Sequence, residues 1–308
     1  GRVQVSARFV QHQDVRTHGE DRGDGDGPFF PSRKMVGHFV CQGFRMDFPQ
    51  GLFHAAADRI VEIRANPGTP EFEAMWRPFL RDFEAHLDAK GWLGKCCVAM
   101  DERSPETMDA AIGLLRSAAP GLGIAMADNH ASYKRYTDLD DVCVQIDCRV
   151  ADEDLARRRR DGLLTTYYVC CSSAFPNTFT FSEPWEAVYM AWFAAACGYD
   201  GMLRWSYNSW PADPVRDSRF TAWPAGDTYL VYPDARSSIR FERLREGIQD
   251  YEKIRILRGE LASDNTPEGA AKRAELEAAV RPFEMHDVSQ PWPELLRKGK
   301  ETIARLSE

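Results

Sequence analysis

The sequence predicts an α/β fold in which parallel strands alternate with helices, of the (β/α)8 barrel type. Between about residues 37 and 208, six short apolar runs alternate with stretches that have helical hydrophobic spacing. Strands separated by helices pair in parallel through right-handed crossovers. A closed barrel of this type has eight strands. We therefore expect either that residues 1–34 help to close the barrel or that it is truncated on its N-terminal side.

The individual elements follow from the apolar runs and from the turn residues that bound them. Strands are predicted at residues 35–44, 95–102, 122–128, 141–147, 163–171 and 201–210. Helices are predicted at residues 71–90, 105–118, 151–161, 183–197 and 237–258, with further charged helix over 259–308 that is broken by proline near 288–293. This order suggests an N-terminal strand and mobile loop (1–34), a barrel domain (35–260) and a C-terminal helical extension (261–308).

The helix at 71–90 has the clearest start and stop. Thr69 supplies a capping hydroxyl, and Pro70 follows in the first turn, where proline fits well. Gly91 ends the helix, and Pro78 is expected to kink its first half. Its apolar residues fall on one face, which predicts burial of that face: Phe72, Trp76, Phe79, Phe83 and Leu87.

The composition is that of a globular protein and argues against a polyanionic partner. Hydrophobic residues make up 44% of the chain and charged residues 28%. The net charge of −8 disfavours nucleic acid. The basic run from Arg157 to Arg160 follows three acidic residues, so we expect it on a solvated helix face. The chain contains neither a charged-then-apolar leader nor the roughly 18 consecutive apolar residues of a membrane span.

Eight cysteines occur without the Cys-x-x-Cys pairs of a structural zinc site. Most lie in apolar runs, where cysteine behaves as a small buried hydrophobe. We therefore expect buried free thiols, with disulfides as the alternative. No metal and no organic cofactor are predicted.

Two adjacent carboxylates at the end of a strand are the strongest functional signal. Asp101 and Glu102 close the run that begins at Lys95, and Ser104-Pro105 just after them is a helix start. The carboxyl ends of parallel strands carry the chemistry of α/β proteins. The alternative is an acidic turn that stabilises the next helix through its dipole.

Polar and aromatic residues end several of the other predicted strands, which suits a carbohydrate ligand. Aromatic rings stack on sugar faces, and Asp, Asn and Arg side chains bond sugar hydroxyls. These residues are Asp128-Asn129-His130, Asp147 and Tyr207-Asn208-Trp210.

The adjacency of Asp101 and Glu102 restricts the mechanism. Retaining glycosidases with a protein nucleophile hold two carboxyl groups about 5–5.5 Å apart across the scissile bond. Neighbouring residues of one strand cannot straddle the anomeric carbon in that way. They can serve a reaction in which the 2-acetamido group of the sugar is the nucleophile. One carboxylate then orients the acetamido N–H, and the other protonates the leaving oxygen.

The chain resembles glycoside hydrolase family 123 over roughly residues 37–258. The resemblance rests on PFLRDFEAHLDAKGW, VAMDER, TTYYVCC followed by PNTFTFSEPWEA, GYDGMLRWSYNSWP, and AGDTYLVYPDARSSIRFERLREGIQDYEKIRIL. It implies a retaining exo-β-N-acetylgalactosaminidase that works through an oxazoline intermediate. Asp101 would stabilise the acetamido group, and Glu102 would be the general acid and then the general base. Members of the family generally carry a β-sandwich domain and the first barrel units ahead of this region, and neither is visible here.

The segment LRWSYNSW supplies further candidate sugar contacts. Arg204 and Asn208 are candidates for hydrogen bonds, and Trp205, Tyr207 and Trp210 for stacking. Strand alternation places the first two on one face and Trp205 and Tyr207 on the other, unless the strand ends before Tyr207. Packing under the helices is the alternative for each of them.

Tyr168 is the candidate for a hydrogen bond to the acetamido carbonyl, and its opposite-facing neighbour Tyr167 is the alternative. His130 and Asp227 are further candidates for the pocket, against structural roles in a loop or beside a helix. The partner we expect is a glycan or glycolipid with a terminal N-acetylhexosamine, and the resemblance suggests a secreted or periplasmic protein. A glycosidase of the same fold with other sugar specificity and a non-catalytic carbohydrate-binding relative stay open.

Overall fold

The computed structural model describes residues 65–100, 103–219 and 223–308. Its helices are α1 Pro70–Ala89, α2 Pro105–Ala118, α3 Asp152–Arg160, α4 Pro184–Cys197, α5 Ile239–Ser263, α6 Pro267–Val280 and α7 Trp292–Leu306. Its strands are β1 Cys97–Met100, β2 Gly123–Asp128, β3 Asp141–Gln145, β4 Leu164–Tyr168 and β5 Gly201–Leu203. The chain divides into two compact units between Ile124 and Ala125.

The first unit contains α1 and α2, and both helices begin where their capping residues predict. Thr69 Oγ1 accepts a hydrogen bond from the Phe72 backbone N–H at 3.3 Å. Ser104 Oγ accepts one from the Thr107 N–H at 3.4 Å. Helix α1 continues through Pro78. Its aromatic face is a ladder of rings with centroids 5.6 to 5.8 Å apart, formed by Phe72, Trp76, Phe79 and Phe83.

The five strands form one sheet in the order β1-β2-β3-β4-β5. Strand β2 pairs with β3, β3 with β4 and β4 with β5, each in parallel. The predicted parallel α/β class is thus confirmed. Closure into a barrel stays a prediction, and the strand predicted at 35–44 lies outside the described residues.

The last predicted strand is much shorter than expected, because β5 ends at Leu203. Beyond it, the Leu230 N–H donates to the Tyr207 carbonyl at 2.9 Å. Asn208 forms an antiparallel bridge with Tyr229. The prediction of a strand to residue 210 is therefore wrong, since the second half of this run pairs with a segment further along the chain.

Helices α5 and α7 pack closely on α4 in the second unit, with glycine at each contact. A Cβ on Gly247 would lie 2.8 Å from the Val188 carbonyl oxygen, and one on Gly299 would lie 2.6 Å from the Trp192 ring. The region predicted as a C-terminal extension thus contributes to the core of this unit. The predicted boundary at residue 260 falls inside α5, and the three-part division of the chain stays a prediction.

One arginine of the basic run is buried. Arg158 is fully shielded from solvent. Its Nε donates to Thr165 Oγ1 at 2.9 Å, and its Nη2 donates to the carbonyls of Leu139 at 3.0 Å and Leu164 at 2.6 Å. Burial lowers the pKa of this guanidinium. The prediction of a solvated face is wrong for Arg158, because its side chain closes the amino-terminal edge of β3 and β4.

The cysteines of the described ranges are free thiols, and two of them are buried, Cys143 and Cys197. Cys171 is exposed and the others are half-buried. The prediction that most are buried is therefore wrong. Of these cysteines, four that are not buried lie outside the strands, and Cys97 is half-buried at the start of β1. No helix in the described part of the chain combines the length and the apolar character that a bilayer span requires.

Candidate active site

Strand β1 ends directly before the predicted catalytic pair. Its last residue is Met100, and Ser104 caps α2. A strand and a helix therefore flank Asp101 and Glu102, as the sequence predicts. The two carboxylates themselves lie outside the described residues.

Strand β4 places its two tyrosines on opposite faces of the sheet. Tyr167 is fully buried beneath α4, where its hydroxyl donates to the Met190 carbonyl at 2.6 Å and its ring centroid lies 4.8 Å from that of Phe193. Burial raises the pKa of Tyr167 well above its usual value, so this phenol stays neutral. Because side chains alternate along a strand, Tyr168 lies on the face turned away from α4.

Arg204 is held beneath the surface. Its side chain is 5% exposed, and its Nη2 lies 2.8 Å from Oδ1 of the fully buried Asp227. Its Nη1 donates to Asn177 Oδ1 at 3.4 Å. Burial lowers the pKa of Arg204, and the charge of Asp227 opposes that shift. The structure thus brings together two residues predicted for the sugar pocket, as an ion pair in the interior.

Asn177 fixes the turn that follows β4. The Ser173 N–H closes this turn by donating to the Cys170 carbonyl at 3.0 Å. Asn177 Nδ2 donates to the carbonyls of both residues, at 2.9 Å for Cys170 and 2.7 Å for Ser173. The Asn177 backbone N–H donates to Glu186 Oε2 at 2.9 Å, which ties the turn to α4. Asn177 was not predicted as a site residue, because its local signal is a Pro-Asn dipeptide typical of any turn.

Arg240 holds the segment 223–231 in the same way. It is buried in the first turn of α5, and its Nη1 donates to the carbonyls of Thr178 at 2.6 Å, Gly226 at 2.8 Å and Tyr229 at 2.8 Å. Gly226 has a φ of +84°, and a Cβ there would lie 2.7 Å from Arg240 Nη1. Glycine is therefore required at this position. Arg240 was not predicted as a site residue, because it stands among other charged residues of a helix.

Aromatic and amide side chains after β5 form the exposed part of this region. Tyr207 is 43% exposed and Trp210 is 38% exposed; Asn208 is exposed as well. The Trp210 indole N–H donates to a backbone carbonyl at 2.8 Å, which fixes the ring. Trp205 is half-buried, with its ring centroid 5.1 Å from that of Trp223. Such rings and amides can bind sugar faces and hydroxyls.

Asp128, the last residue of β2, accepts bonds from the loop that follows it, whereas Asp147, after β3, contacts a residue far along the chain. Asp128 accepts hydrogen bonds from the backbone N–H groups of His130 at 2.9 Å and Ser132 at 2.5 Å. Asp147 Oδ1 lies 2.9 Å from His286 Nε2. Both carboxylates thus shape loops at this edge of the sheet, whereas the His130 side chain is exposed.

A family model, Glycoside hydrolase 123, catalytic domain, matches residues 33–257. All the predicted site residues lie in that range. The chain is also similar to the solved structure of a family 123 glycoside hydrolase from Clostridium perfringens, whose analysis concerns glycolipid glycan hydrolysis. The TM-score is 0.69 at 23% identity, over 82% of this chain and 47% of that chain. The chain thus spans about half the length of that protein, and the likeness concerns the fold. No curated protein matches the chain.

Proposed function

The chain belongs to the glycoside hydrolase 123 catalytic-domain family, and from this premise we propose that it is a retaining glycosidase that removes terminal β-linked N-acetylgalactosamine. One observation carries the proposal. Within the matched range, the adjacent carboxylates Asp101 and Glu102 follow directly on Met100, the last residue of β1, and precede a capped helix. In parallel α/β folds this position carries the reactive groups.

In the proposed first step, the acetamido carbonyl oxygen of the substrate attacks the anomeric carbon while the bond to the leaving oxygen breaks. Glu102 gives its proton to that oxygen, and Asp101 stabilises the positive charge that develops at the acetamido N–H. The sugar is then the oxazoline in its N-protonated form, an oxazolinium ion whose positive charge Asp101 balances. In the second step Glu102 takes a proton from a water molecule as that water attacks the anomeric carbon. The bond between this carbon and the acetamido oxygen breaks, which opens the oxazoline ring. Two inversions at one carbon give net retention.

Several other predicted residues are assigned to binding of the sugar. Tyr168 is assigned to the acetamido carbonyl, supported by its position on the face opposite Tyr167. Tyr207, Asn208 and Trp210 are assigned to sugar binding, supported by their exposure after β5. Trp205 is assigned to the same subsite as a stacking ring. The sheet is taken as part of a (β/α)8 barrel, as the resemblance implies.

Arg204 takes a supporting role in this proposal. Its guanidinium is bonded to Asp227 and Asn177, so it holds together the segments on which the sugar contacts lie. The expected substrate is a glycan or glycolipid with a terminal N-acetylhexosamine.

The test is an assay with chromogenic β-N-acetylgalactosaminide, β-N-acetylglucosaminide and β-galactoside. We expect release from the galactosaminide, reduced about 10²- to 10⁴-fold in Glu102→Gln because the general acid and base is lost. Glu153→Gln, which removes an exposed carboxylate from the first turn of α3, is the matched control and should retain full activity.

Other outcomes of the assay contradict the proposal in distinguishable ways. Release from the β-galactoside would refute substrate assistance, since that sugar has no acetamido group. Release from the β-N-acetylglucosaminide alone would indicate a different sugar specificity on the same fold. Sugar binding measured by calorimetry, with no release from any substrate, would indicate the non-catalytic relative.

A further inference from the structure

Two Cys-Cys pairs occur in this chain, and the backbone holds them differently. Cys96 directly precedes β1 and is extended at φ −115° and ψ 147°, and Cys97 is the first residue of that strand. Adjacent side chains on an extended chain point to opposite faces. Cys170 and Cys171 instead stand in the turn after β4, which the Ser173 N–H closes at 3.0 Å. A turn allows neighbouring side chains to converge.

The turn is fixed, and at least one of its two cysteines is open to solvent. The Asn177 amide donates to the carbonyls at both of its ends, at 2.9 and 2.7 Å. Cys170 is half-buried and Cys171 is exposed. Cys170 Sγ lies 3.0 Å from Ser172 Oγ. Two thiols therefore stand next to each other on a preorganised turn, which lowers the entropy cost of binding one ligand through both sulfurs.

The protonation state of this pair indicates which soft ligand it suits. Partial burial raises the pKa of Cys171, and so do the neighbouring Cys170 and Asp227, the former also through a hydrogen bond between the two side chains. A divalent cation binds thiolates and would have to displace both protons. A trivalent arsenical R–As=O forms two As–S bonds with two neutral thiols, and both thiol protons leave with its oxygen as water. A raised thiol pKa therefore does not oppose arsenical binding.

We propose that the turn Cys170–Ser173 is a dithiol site for trivalent arsenicals, bound through the sulfurs of Cys170 and Cys171. The balanced reaction is R–As=O plus two R′SH giving R–As(SR′)2 plus water, with no change in the oxidation state of arsenic. The site lies two residues beyond Tyr168, so an occupant would stand beside the proposed sugar contacts. Binding itself does not depend on the glycosidase activity.

The experiment titrates the reduced full chain with phenylarsine oxide. Intact mass should show one phenylarsenic adduct at low ligand concentration, and the free-thiol count should fall by two. Dimercaprol should reverse both changes. Cys170→Ser and Cys171→Ser should each weaken binding about a hundredfold or more, since chelation is replaced by attachment through one sulfur. The matched control Cys96→Ser/Cys97→Ser should bind like the unchanged chain.

Undiminished binding by Cys171→Ser, or its loss in the Cys96/Cys97 control, would overturn the proposal. Cys171 is exposed, so its serine variant remains informative even where Cys170→Ser folds poorly. The mass and thiol readouts hold whatever the chromogenic sugars show, which separates this proposal from the proposed glycosidase function.

Discussion

The two edges of the sheet in the second unit both contain buried arginines, but the arginines hold different things. At the amino-terminal edge, Arg158 bonds the Thr165 hydroxyl and carbonyls beside strands that the sheet ladder already fixes. At the carboxyl-terminal edge, Arg204 bonds Asp227, and Arg240 bonds three carbonyls of irregular segments. One edge thus secures the scaffold, whereas the other sets the geometry of segments that have no ladder. Removing an arginine side chain at the amino-terminal edge should lower stability alone. Removing one at the carboxyl-terminal edge should lower both stability and activity.

The largest effect is expected at the Arg204–Asp227 pair. Asp227→Ala would leave the guanidinium buried without its counter-charge, so the free energy of unfolding should fall by about 3–5 kcal/mol. Urea denaturation followed by fluorescence measures this loss. The double variant Asp227→Ala/Arg204→Met should recover much of it, because neither charge of the pair is then left buried without its partner. A loss below about 1 kcal/mol in the single variant would mean that the pair is solvated.

Changing one arginine at each edge tests whether the two edges differ in their effect on activity. Arg158→Met removes donors from buried carbonyls, and the free energy of unfolding should fall by about 1–3 kcal/mol. Turnover of the chromogenic galactosaminide per folded molecule should stay unchanged. Arg240→Met should lower stability similarly and should also lower turnover, because it releases the segment 223–231. Equal turnover losses in the two variants would mean that both edges matter equally for activity.

A smaller effect is expected from the exposed rings. Tyr207→Ala should leave the free energy of unfolding within about 0.5 kcal/mol. It should raise KM for the galactosaminide about tenfold, which corresponds to about 1.4 kcal/mol of lost contact. Trp92→Ala is a suitable control, because Trp92 is similarly exposed at 42% and comes before the amino-terminal end of β1, whereas the proposed catalytic pair follows its carboxyl-terminal end. A KM change of the same size in both variants would remove Tyr207 from the proposed subsite.

The smallest effect concerns Glu186, which joins the turn after β4 to α4. Burial raises its pKa from 4.5, and hydrogen bonds from the N–H groups of Asn177 and Glu183 oppose the shift. Since the folded pKa lies above the unfolded one, its contribution to stability is complete below pH 4.5 and is lost as the pH rises through the folded pKa.

Glu186→Gln should abolish this part of the pH dependence. Urea midpoints between about pH 4 and 7 measure it. Glu153→Gln, which changes an exposed carboxylate, should follow the unchanged chain. If the urea midpoints of the unchanged chain and of Glu186→Gln changed with pH in the same way, the titration of Glu186 would not contribute to stability.

Much of the local structure was predictable because its signals are local. Thr69 and Ser104 mark helix starts by their own hydroxyls, and the structure has both as caps. The position of Asp101 and Glu102 after a strand could be predicted for the same reason. These residues alone do not identify the sugar or the reaction. Both predictions came from the family resemblance.

Long-range partners explain what the sequence did not reveal. β5 ends early because Tyr207 bonds Leu230 instead of extending the sheet. The burial of Arg158 depends on carbonyls of another strand, and no pattern within its own helix distinguishes it from its neighbours. Asn177 and Arg240 act by donating hydrogen bonds to backbone carbonyls, which every residue type has. Such contacts exist only once the chain has folded, so periodicity and composition carry no record of them.

The amide of Asn177 has a consequence for the shelf life of the protein. Deamidation would replace its NH2 group by an oxygen facing the carbonyls of Cys170 and Ser173, where 2.9 and 2.7 Å contacts now exist. Two hydrogen bonds would be replaced by repulsion between oxygen atoms, which would destabilise the turn. Burial shields this amide while the fold is intact, so chemical ageing at residue 177 should accelerate only after partial unfolding and should then make that unfolding permanent.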